Sequence, residues 1–411
     1  MNALYRLIDP VTPANSAERI AIADALNRVT ANPVLSPINV PAFANSAMDG
    51  YAIRYADLAS NAPSVFNLQG ISAAGHPYPD PLKPGYAVRI FTGAAIPQGA
   101  DTVVIQENVQ VLGQQIQLRA TTDDPLPNAN IASGAFVRPI GHDTHRDQPI
   151  IPGNHPISPF NLAAATTSGV EQVDVLRKLR IGVFATGDEL REPGQPLGPG
   201  QIYESNRIAI RSLLAGLPVT VQDLGILPDN AEATQQALLV ASKEFDALIT
   251  SGGVSVGDAD FVRHAIEAHG SLDFWRLNLR PGKPFAFGRI GQSLVFGLPG
   301  NPVSSIVTLL LLVKPALWHF AGRAMAIEDA AQVYVDVPLA QDLRHETGRH
   351  EFQRATLIQI DGKTCIRSTS DQSSNRLQSF TNADCLIRLD GDQETFLTGT
   401  TVPTLPFFGL L

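Results

Sequence analysis

Apolar and polar positions follow two different patterns along the chain, and the changes between them divide it into modules. Between residues 177 and 325, apolar runs such as RIGVFAT and DALITSGG alternate with segments of helical spacing such as NAEATQQALLVASKEF. This alternation is typical of an α/β domain with a mostly parallel sheet. Helix starts are predicted at Ser205 and Asn230, which are good capping residues, and at Pro302, which suits a first turn.

The rest of the chain predicts a multidomain α/β plus β protein. Residues 53–133 contain short strands separated by turn clusters, which indicates a small inserted β domain. Residues 326–411 contain strand patterns only and predict a C-terminal β barrel. Residues 1–52 and 134–176 mix loops with helical patterns, including SAERIAIADALNRVT, and we predict that they form one discontinuous linker and dimerisation domain.

Composition and charge exclude several classes of protein. The chain has 411 residues and a net charge of −9, without a cluster of Lys and Arg, which argues against a nucleic-acid-binding protein. Two cysteines are too few for a disulfide scaffold. The first residues lack the apolar region of a signal peptide, and the longest apolar run, 306–313, is too short to cross a bilayer. We therefore expect a cytoplasmic protein without a membrane partner.

Three glycine-containing loops follow predicted strands of the α/β domain, at residues 186–189, 251–260 and 298–302. Ligands bind beyond the carboxyl ends of parallel strands, where glycine N–H groups can approach a phosphate. Single loops of this kind are often only tight turns, but three in one domain favour a binding site. The candidate binding residues are Thr186, Gly187, Asp188, Ser205, Ser251, Gly252, Gly253, Ser255, Asp258, Pro299 and Pro302.

Charged side chains near these loops suggest the chemistry. Glu189, Asp229, Asp258 and Asp260 offer the hard oxygen ligands that suit Mg²⁺. The turn RPGKP, residues 280–284, places two cations where they could hold an oxyanion. The stretch GVSVG also matches a serine-hydrolase motif, but its serine lies too far beyond the strand for that sharp turn.

Nine segments together resemble the family of molybdopterin molybdenumtransferases, which includes bacterial MoeA proteins and gephyrin E domains. The resemblance covers nearly the whole chain. It rests on NSAMDGYA, FTGAAIPQGADTVVIQE, RPIGHD, FATGDEL, GQIYESN, ITSGGVSVGDADF, RPGKPFAFG, FGLPGNPVS and GRHEFQR.

The resemblance implies an enzyme of molybdenum cofactor biosynthesis. Such an enzyme inserts molybdate into adenylylated molybdopterin with Mg²⁺-dependent release of AMP. It also implies a homodimer of four-domain subunits, with transient contacts to molybdopterin adenylyltransferase and to proteins that mature molybdoenzymes.

Residue by residue, the resemblance assigns candidate roles. Catalytic residues are Glu189, Asp229 and Asp260, which are also the implied Mg²⁺ ligands, together with Asp49 and Thr92, which complete the site from the partner subunit. Molybdate-binding residues are Arg280, Lys283, Ser304, Arg354 and Ser374. The sequence departs from the family pattern at Arg276 and Arg280, where Lys is usual, and at His142, where an acidic residue is usual.

Two other functions stay open from the sequence. A molybdopterin adenylyltransferase would share the α/β domain but would not need the two β domains or SAMDGYA. A scaffold protein that binds receptors would leave the acidic loops without a role.

Overall fold

The computed structural model describes residues 2–12, 16–58, 64–119, 131–254, 260–324 and 334–409. The first segment contains helix α1 (Asn2–Tyr5) and strands β1 (Ala17–Ala21), β2 (Val34–Leu35) and β3 (Asn45–Ser46). The helix predicted from SAERIAIADALNRVT is wrong, because this stretch forms β1 and a 3₁₀ turn, Ile22–Asp24. Pairing of β1 with a strand about 150 residues later outweighs the local helical preference.

The next part of the chain forms a mixed sheet of six strands, with both antiparallel and parallel pairs. Its order is β7-β4-β6-β5-β9-β8, and its interior contains Ile53, Phe66 and Ile116. The strands are β4 (Gly50–Ile53), β5 (Val65–Ser72), β6 (Tyr86–Ile90), β7 (Thr102–Ile105), β8 (Val109–Leu112) and β9 (Gln115–Leu118).

The chain then returns to its first segment. Strands β10 (Val137–Arg138), β11 (Pro149–Ile151) and β12 (Gln172–Leu176) pair antiparallel with β3, β2 and β1, and helix α2 (Pro159–Thr167) packs beside them. The six-stranded sheet is therefore inserted between two segments that pair with each other. Residues 2–12 behave differently, since Leu4 and Ile8 pack into the core of the α/β domain and Val11 N donates to Phe320 O.

The α/β domain contains a six-stranded sheet of order β16-β13-β17-β21-β20-β18, in which the first four strands are parallel. The prediction of a mostly parallel sheet is confirmed. Its elements are β13 (Leu179–Thr186), β14 (Leu190–Arg191), β15 (Ile202–Tyr203), α3 (Asn206–Leu214), β16 (Val219–Leu227), α4 (Ala231–Ala241), β17 (Ala247–Ser251), α5 (Phe261–His269), β18 (Gly270–Arg276), β19 (Leu279–Arg280), β20 (Pro284–Ile290), β21 (Ser293–Leu298), α6 (Pro302–Thr308) and α7 (Lys314–Phe320).

Both faces of this sheet are covered by helices. Val183 of β13 packs into the core on one side and its neighbour Phe184 into the core on the other. Burial on both faces explains why these strands are continuous apolar runs in the sequence. Asn230 caps α4 as predicted, since its side chain accepts from Ala233 N.

Helices α6 and α7 form one long helix, Pro302–Phe320, joined by a π turn at Leu309–Val313. The π turn lies just before Pro315, whose backbone nitrogen has no hydrogen to donate to a carbonyl of the preceding turn. By length and composition this helix could cross a membrane. However, 72% of its apolar window is buried inside the protein, which is the packing of a core helix.

The C-terminal domain forms the predicted small barrel. Its sheet runs β24-β26-β28-β22, with β25 on the other side of β24, and a bridge from Leu339 to Ile366 joins the two ends. The elements are β22 (Val335–Pro338), β23 (Leu343–Arg344), β24 (His350–Ile360), β25 (Lys363–Ser368), α8 (Gln378–Thr381), β26 (Cys385–Leu389), β27 (Thr395–Phe396) and β28 (Thr401–Pro406).

The barrel is packed against the α/β domain at the edge that carries the predicted loops. Strand β19 pairs parallel with β24, so one sheet contains strands of both domains. In addition, Val303 and Val307 of α6 belong to the same hydrophobic cluster as Phe352 and Leu386 of the barrel. This contact fixes the barrel next to the 298–302 loop.

An ion pair fastens the linker segment to the α/β domain and leads to a prediction about stability and pH. Arg177 donates to both oxygens of Asp246, each at 2.7 Å, and Arg180 N donates to the same carboxylate. Partial burial acts to raise the pKa of Asp246, but the hydrogen bonds from Arg177 and Arg180 outweigh it and lower the pKa. Because Arg177 is partly exposed, we expect Asp246→Asn to cost only about 1–2 kcal/mol at pH 7.

The sign of the pH effect follows from the lowered pKa. The stabilisation is present above the ordinary Asp pKa of about 4 and is lost as the pH falls below it, when the folded carboxylate becomes protonated. Urea denaturation should therefore show a difference in the free energy of unfolding between wild type and Asp246→Asn, and this difference should become smaller towards pH 3. A difference in unfolding free energy that is the same at every pH would contradict a stabilising role for the Asp246 carboxylate.

Candidate functional site

A cavity of about 730 Å³ lies at the carboxyl ends of β13, β17 and β21, where the three predicted loops meet. Its far wall is formed by Asn375 and Leu377 of the C-terminal domain. The site is therefore shared between two domains. Residues that line it include Thr186, Glu189, Tyr203, Glu204, Ser205, Asn206, Ser251, Pro299, Gly300, Asn301, Pro302 and Ser304.

The loops after β13 and β17 touch at Gly252. This residue has φ +90°, and a Cβ built on it would lie 2.6 Å from Thr186 O and 2.8 Å from Thr186 Oγ1. Only glycine meets both demands, since it tolerates positive φ and leaves room for the neighbouring backbone. Gly252 and Gly253 thus bring the second loop against Thr186.

Asn206 connects the loops to one another. Its Nδ2 donates to Ser251 Oγ at 2.6 Å and to Gly300 O at 2.8 Å. The three residues belong to the start of α3, the end of β17 and the loop after β21. One buried amide therefore spans three separate segments of the cavity wall.

The start of α3 is held by Glu204 rather than by Ser205. Ser205 occupies the N-cap position, so the predicted helix start is confirmed, but its side chain makes no capping hydrogen bond. Instead Glu204 Oε1 accepts from Asn206 N and Arg207 N, at 2.6 and 3.0 Å. The longer Glu204 side chain can reach back to the open N–H groups from outside the helix.

Arg207 lies behind Glu204 at the centre of a cluster of charged groups. It donates to Glu204 Oε2 at 3.1 Å and also pairs with Asp223 and Glu192. Burial opposes the charge on Arg207, but the hydrogen bond to Glu192 and the nearby carboxylates outweigh it and raise the pKa. Glu204 is therefore fixed in the wall of the cavity by its hydrogen bonds to Arg207 and to the start of α3.

The predicted acidic residues occupy different environments. Asp188 N donates to Asp229 Oδ2 at 3.5 Å and Asp229 N donates to Asp188 Oδ1 at 3.1 Å, which joins the loops after β13 and β16. Glu189 is exposed and lines the cavity. Asp260 is only 2% exposed, and its Oδ1 accepts from Arg263 N at 3.2 Å as the cap of α5.

Within the described ranges, no three Asp, Glu, His or Cys side chains converge on a common point suitable for a metal ion. Ser255 and Asp258 were also predicted at this site, but they lie outside the described residues. Of the predicted acidic residues in the described ranges, Glu189 lines the cavity, and these side chains form no closed metal site there.

The 298–302 loop meets the barrel through Ser374. Asn301 Nδ2 donates to Ser374 Oγ at 3.1 Å, and Val303 N donates to Ser374 O at 3.1 Å. Pro299, Pro302 and Ser304 line the cavity next to this contact. Ser374, a candidate from the last domain, thus lies at the same loop as three candidates from the α/β domain.

Arg354 forms hydrogen bonds to the backbone of the loop that contains Ser374. Its side chain is fully buried, and its Nη2 donates to Asp371 O and Ser373 O, at 3.3 and 3.2 Å. Burial lowers the pKa of Arg354 to about 10. Its Nε also donates to Ser379 Oγ at 3.0 Å, so Arg354 ties the segment that carries Ser374 to helix α8.

The cations of the RPGKP turn lie beside the cavity. Arg280 Nη1 is 3.2 Å from Glu346 Oε2 and 3.6 Å from Glu351 Oε2, and Lys283 is exposed. Neither lines the cavity, and its described lining contains no Lys, Arg or His. His142 and Arg276, the other departures from the family pattern, are both exposed.

Asp49 and Thr92 are brought together in the inserted domain. Thr92 N and Oγ1 both donate to Asp49 Oδ1, at 2.8 and 2.7 Å. These hydrogen bonds from Thr92, the backbone one first, lower the pKa of Asp49. Neither residue lines the cavity of its own chain.

The cavity wall also contains polar residues for which the sequence predicted no role, among them Glu204, Asn206, Asn301 and Asn375. The first three lie within the quoted segments GQIYESN and FGLPGNPVS, so their positions beside glycine loops were a usable signal. Asn375 had no such signal, because it reaches the cavity only through the docking of the barrel.

Comparisons with known proteins agree with this architecture. The MoeA N-terminal region (domain I and II) matches residues 1–169, a probable molybdopterin binding domain matches 182–319, and the MoeA C-terminal region (domain IV) matches 336–407. Among solved structures, the molybdopterin biosynthesis MoeA protein of Pyrococcus horikoshii has a TM-score of 0.80 at 26% identity, with 98% of this chain and 97% of that one covered.

Curated relatives share the whole length. The molybdopterin molybdenumtransferase of Haemophilus influenzae is 37% identical over 410 residues, which cover 100% of this chain and 98% of that protein. The protein of the same name from Nostoc is 34% identical, covering 88% and 82%. The resemblance noted in the sequence is thereby confirmed, and the chain belongs to the MoeA family of molybdopterin molybdenumtransferases.

Proposed function

We propose that this protein is a transferase that inserts molybdenum into molybdopterin, using molybdate and adenylylated molybdopterin and releasing AMP. The observation that carries the proposal is the cavity between the loops of the α/β domain and the Ser374 segment of the barrel, in a chain with all the MoeA regions. An adenylyltransferase is not favoured, because it would not need the N-terminal and C-terminal regions.

The described residues bind and orient the substrates in this proposal. Hydroxyls at Thr186 and Ser251 donate to the organic ligand, and the 298–302 loop with Ser304 and Ser374 borders the oxyanion. Arg280 and Lys283 lie on the adjacent turn, from which long side chains can approach molybdate. Cleavage of the phosphoanhydride forms a new bond from a water or molybdate oxygen to phosphorus and expels AMP, so no side chain needs to act as a nucleophile.

We further propose that Mg²⁺ is required. Glu189 provides an accessible carboxylate in the cavity wall and Asp229 provides an exposed one on the neighbouring loop, while Asp260 is already used as a helix cap. Mg²⁺ commonly takes one or two protein carboxylates and completes its shell with phosphate oxygens and water, so this donor set fits a site shared with the substrate. When bound, the ion offsets phosphate charge.

The reaction itself provides the first test. In single turnover with adenylylated molybdopterin and molybdate, chelation of Mg²⁺ is expected to abolish AMP release while substrate binding persists. Asp229→Asn should slow release by about 100-fold or more, whereas Asp336→Asn, an exposed carboxylate in β22, serves as the control. Full turnover in chelator would refute the metal requirement, and formation of adenylylated molybdopterin from ATP would instead support the adenylyltransferase.

We also propose a homodimer in which Asp49 and Thr92 complete the partner's site. Both residues reach solvent and neither lines the cavity described above, and the N-terminal domain exposes large apolar side chains, among them Phe160 at 85%. Mixing inactive Asp49→Ala and Asp229→Ala subunits should restore up to about a quarter of the activity, because a random mixture contains half heterodimers with one intact site each.

Asp342 offers a matched control for this experiment. Its Oδ1 accepts from Thr398 N and Oγ1, both at 2.7 Å, which repeats the Asp49–Thr92 contact in the barrel. Asp342→Ala should therefore keep activity. A fully active monomer in sedimentation, or the absence of complementation, would rule out a site built by two subunits.

Location and transient partners follow from the same proposal. The protein would work in the cytoplasm, taking its substrate from a molybdopterin adenylyltransferase and passing its product to proteins that mature molybdoenzymes.

A further inference from the structure

Asn206 donates to both Ser251 Oγ and Gly300 O in the wall of the cavity. We propose that it is a positioning residue of the insertion site, which directs the Ser251 hydroxyl hydrogen towards the ligand and holds the 298–302 loop in place. This inference rests on the proposed function for the identity of the ligand. The geometry on which it depends belongs to the protein alone.

The orientation of the amide follows from its partners. Gly300 O can only accept a hydrogen bond, so the atom of Asn206 that faces it must be the NH₂ group. That group has two hydrogens, and the second is directed at Ser251 Oγ, 2.6 Å away. Both donors of the amide are thus assigned without ambiguity.

This assignment determines what Ser251 can do. Its oxygen accepts from Asn206, so its own hydrogen must point elsewhere. Ser251 lines the cavity, and no acceptor for this hydrogen is found among the described residues. The hydroxyl is therefore available as a donor to a ligand atom in the cavity.

Asn206 is itself firmly held. It is 9% exposed, and its backbone N donates to Glu204, whose other oxygen is bound by Arg207. A group that orients another group must have few conformations of its own. The buried charged pair behind Asn206 meets that requirement.

The charge of the cavity explains why an oriented hydroxyl matters. The described lining includes the carboxylates of Glu189 and Glu204 and no cationic side chain. An anionic or polar ligand in this region depends on neutral donors, of which Ser251 and Thr186 are two. Thr186 Oγ1 is also buried without a hydrogen-bond partner in the described structure.

Asn206→Asp tests the proposal because it keeps the shape but removes the donors. The carboxylate cannot donate to Gly300 O, and it would attract the Ser251 hydrogen away from the ligand. Binding of adenylylated molybdopterin, measured in chelator so that cleavage is suppressed, should weaken about tenfold, and Ser251→Ala should have a similar effect. In the Ser251→Ala background, Asn206→Asp should add no more than about threefold.

Additivity decides between positioning and a general structural role. If the two substitutions multiply to about 100-fold, Asn206 does not act through Ser251 and the proposal fails. Asn154→Asp is the matched control, since Asn154 Nδ2 likewise donates to a glycine carbonyl, Gly322 O at 3.0 Å, away from the cavity. It should leave binding unchanged.

Hydrogen exchange provides a reading that needs no ligand. Asn206→Asp should speed exchange about tenfold at the Gly252 and Val303 amides, which donate to Leu298 O and Ser374 O across the two ends of the 298–302 loop, and Asn154→Asp should not. Unchanged exchange at these amides would overturn the proposed loop contact. If wild type fails to bind adenylylated molybdopterin, the proposed function is overturned, and the exchange comparison still decides the role of Asn206.

Discussion

Replacing Arg207 by Met is expected to lower the free energy of unfolding by about 3–5 kcal/mol. The guanidinium is buried, and it is the partner that compensates the buried Glu204 carboxylate, 3.1 Å away. Removing it leaves that carboxylate without a counter-charge in a place that water reaches poorly. Urea denaturation of the wild type and of Arg207→Met measures the difference directly.

Arg211 is the matched control, because it pairs with the same Asp223 at 3.2 Å but is largely exposed. Arg211→Met should cost no more than about 1 kcal/mol, as exposed pairs do. Adding Glu204→Gln to Arg207→Met should recover part of the loss, since no buried charge then remains unpaired. Equal losses for the two single Arg variants would show that burial of the pair is not the cause.

Replacing Gly252 by Ala is expected to reduce AMP release by about 100-fold and to destabilise the protein by about 1–3 kcal/mol. The new Cβ would meet Thr186 O at 2.6 Å and force a residue with φ +90° into an unfavourable conformation. The loop must move away from Thr186, and the hydroxyls that line the cavity lose their arrangement. Single-turnover rates and urea denaturation would be measured on the same preparation.

Gly399→Ala is the control that separates backbone strain at positive φ from the collision of the new Cβ. It has φ +84°, but a Cβ there would have nothing within 4 Å. Gly399→Ala should therefore show the strain without the collision, with a small loss of stability and normal AMP release. Normal release from Gly252→Ala would mean that contact between the first two loops is not needed for activity.

The α/β domain was the part of the fold most readily predicted. Its strands are buried on both faces, so Val183, Phe184 and their neighbours form apolar runs that no exposed segment would show. The cap at Asn230 was equally local. By contrast, the stretch at residues 16–30 has a helical pattern, yet β1 forms there because β12 offers an antiparallel partner. A pairing over that distance leaves no mark on the local pattern.

The same distinction applies to the site. Glycine at 252 and 253 and the hydroxyls at 186 and 251 were recognisable because a loop after a buried strand has a known place at the sheet edge. The sequence did not indicate that Glu204, rather than the Ser205 side chain, accepts the hydrogen bonds at the start of α3; only the folded chain shows this. Arg354 was predicted to bind molybdate, but it is buried inside the C-terminal domain, where it donates to Asp371 O, Ser373 O and Ser379 Oγ.

The amino-acid sequence by itself determined the domain types, the three glycine loops and the family resemblance, since each depends on residues close together along the chain. Only the tertiary structure decided that Asn206 joins Ser251 to Gly300 and that the Ser374 segment closes the cavity. The physical reason is that hydrogen bonds between distant segments are selected by the packing of whole domains, which local patterns of apolar and polar residues do not encode.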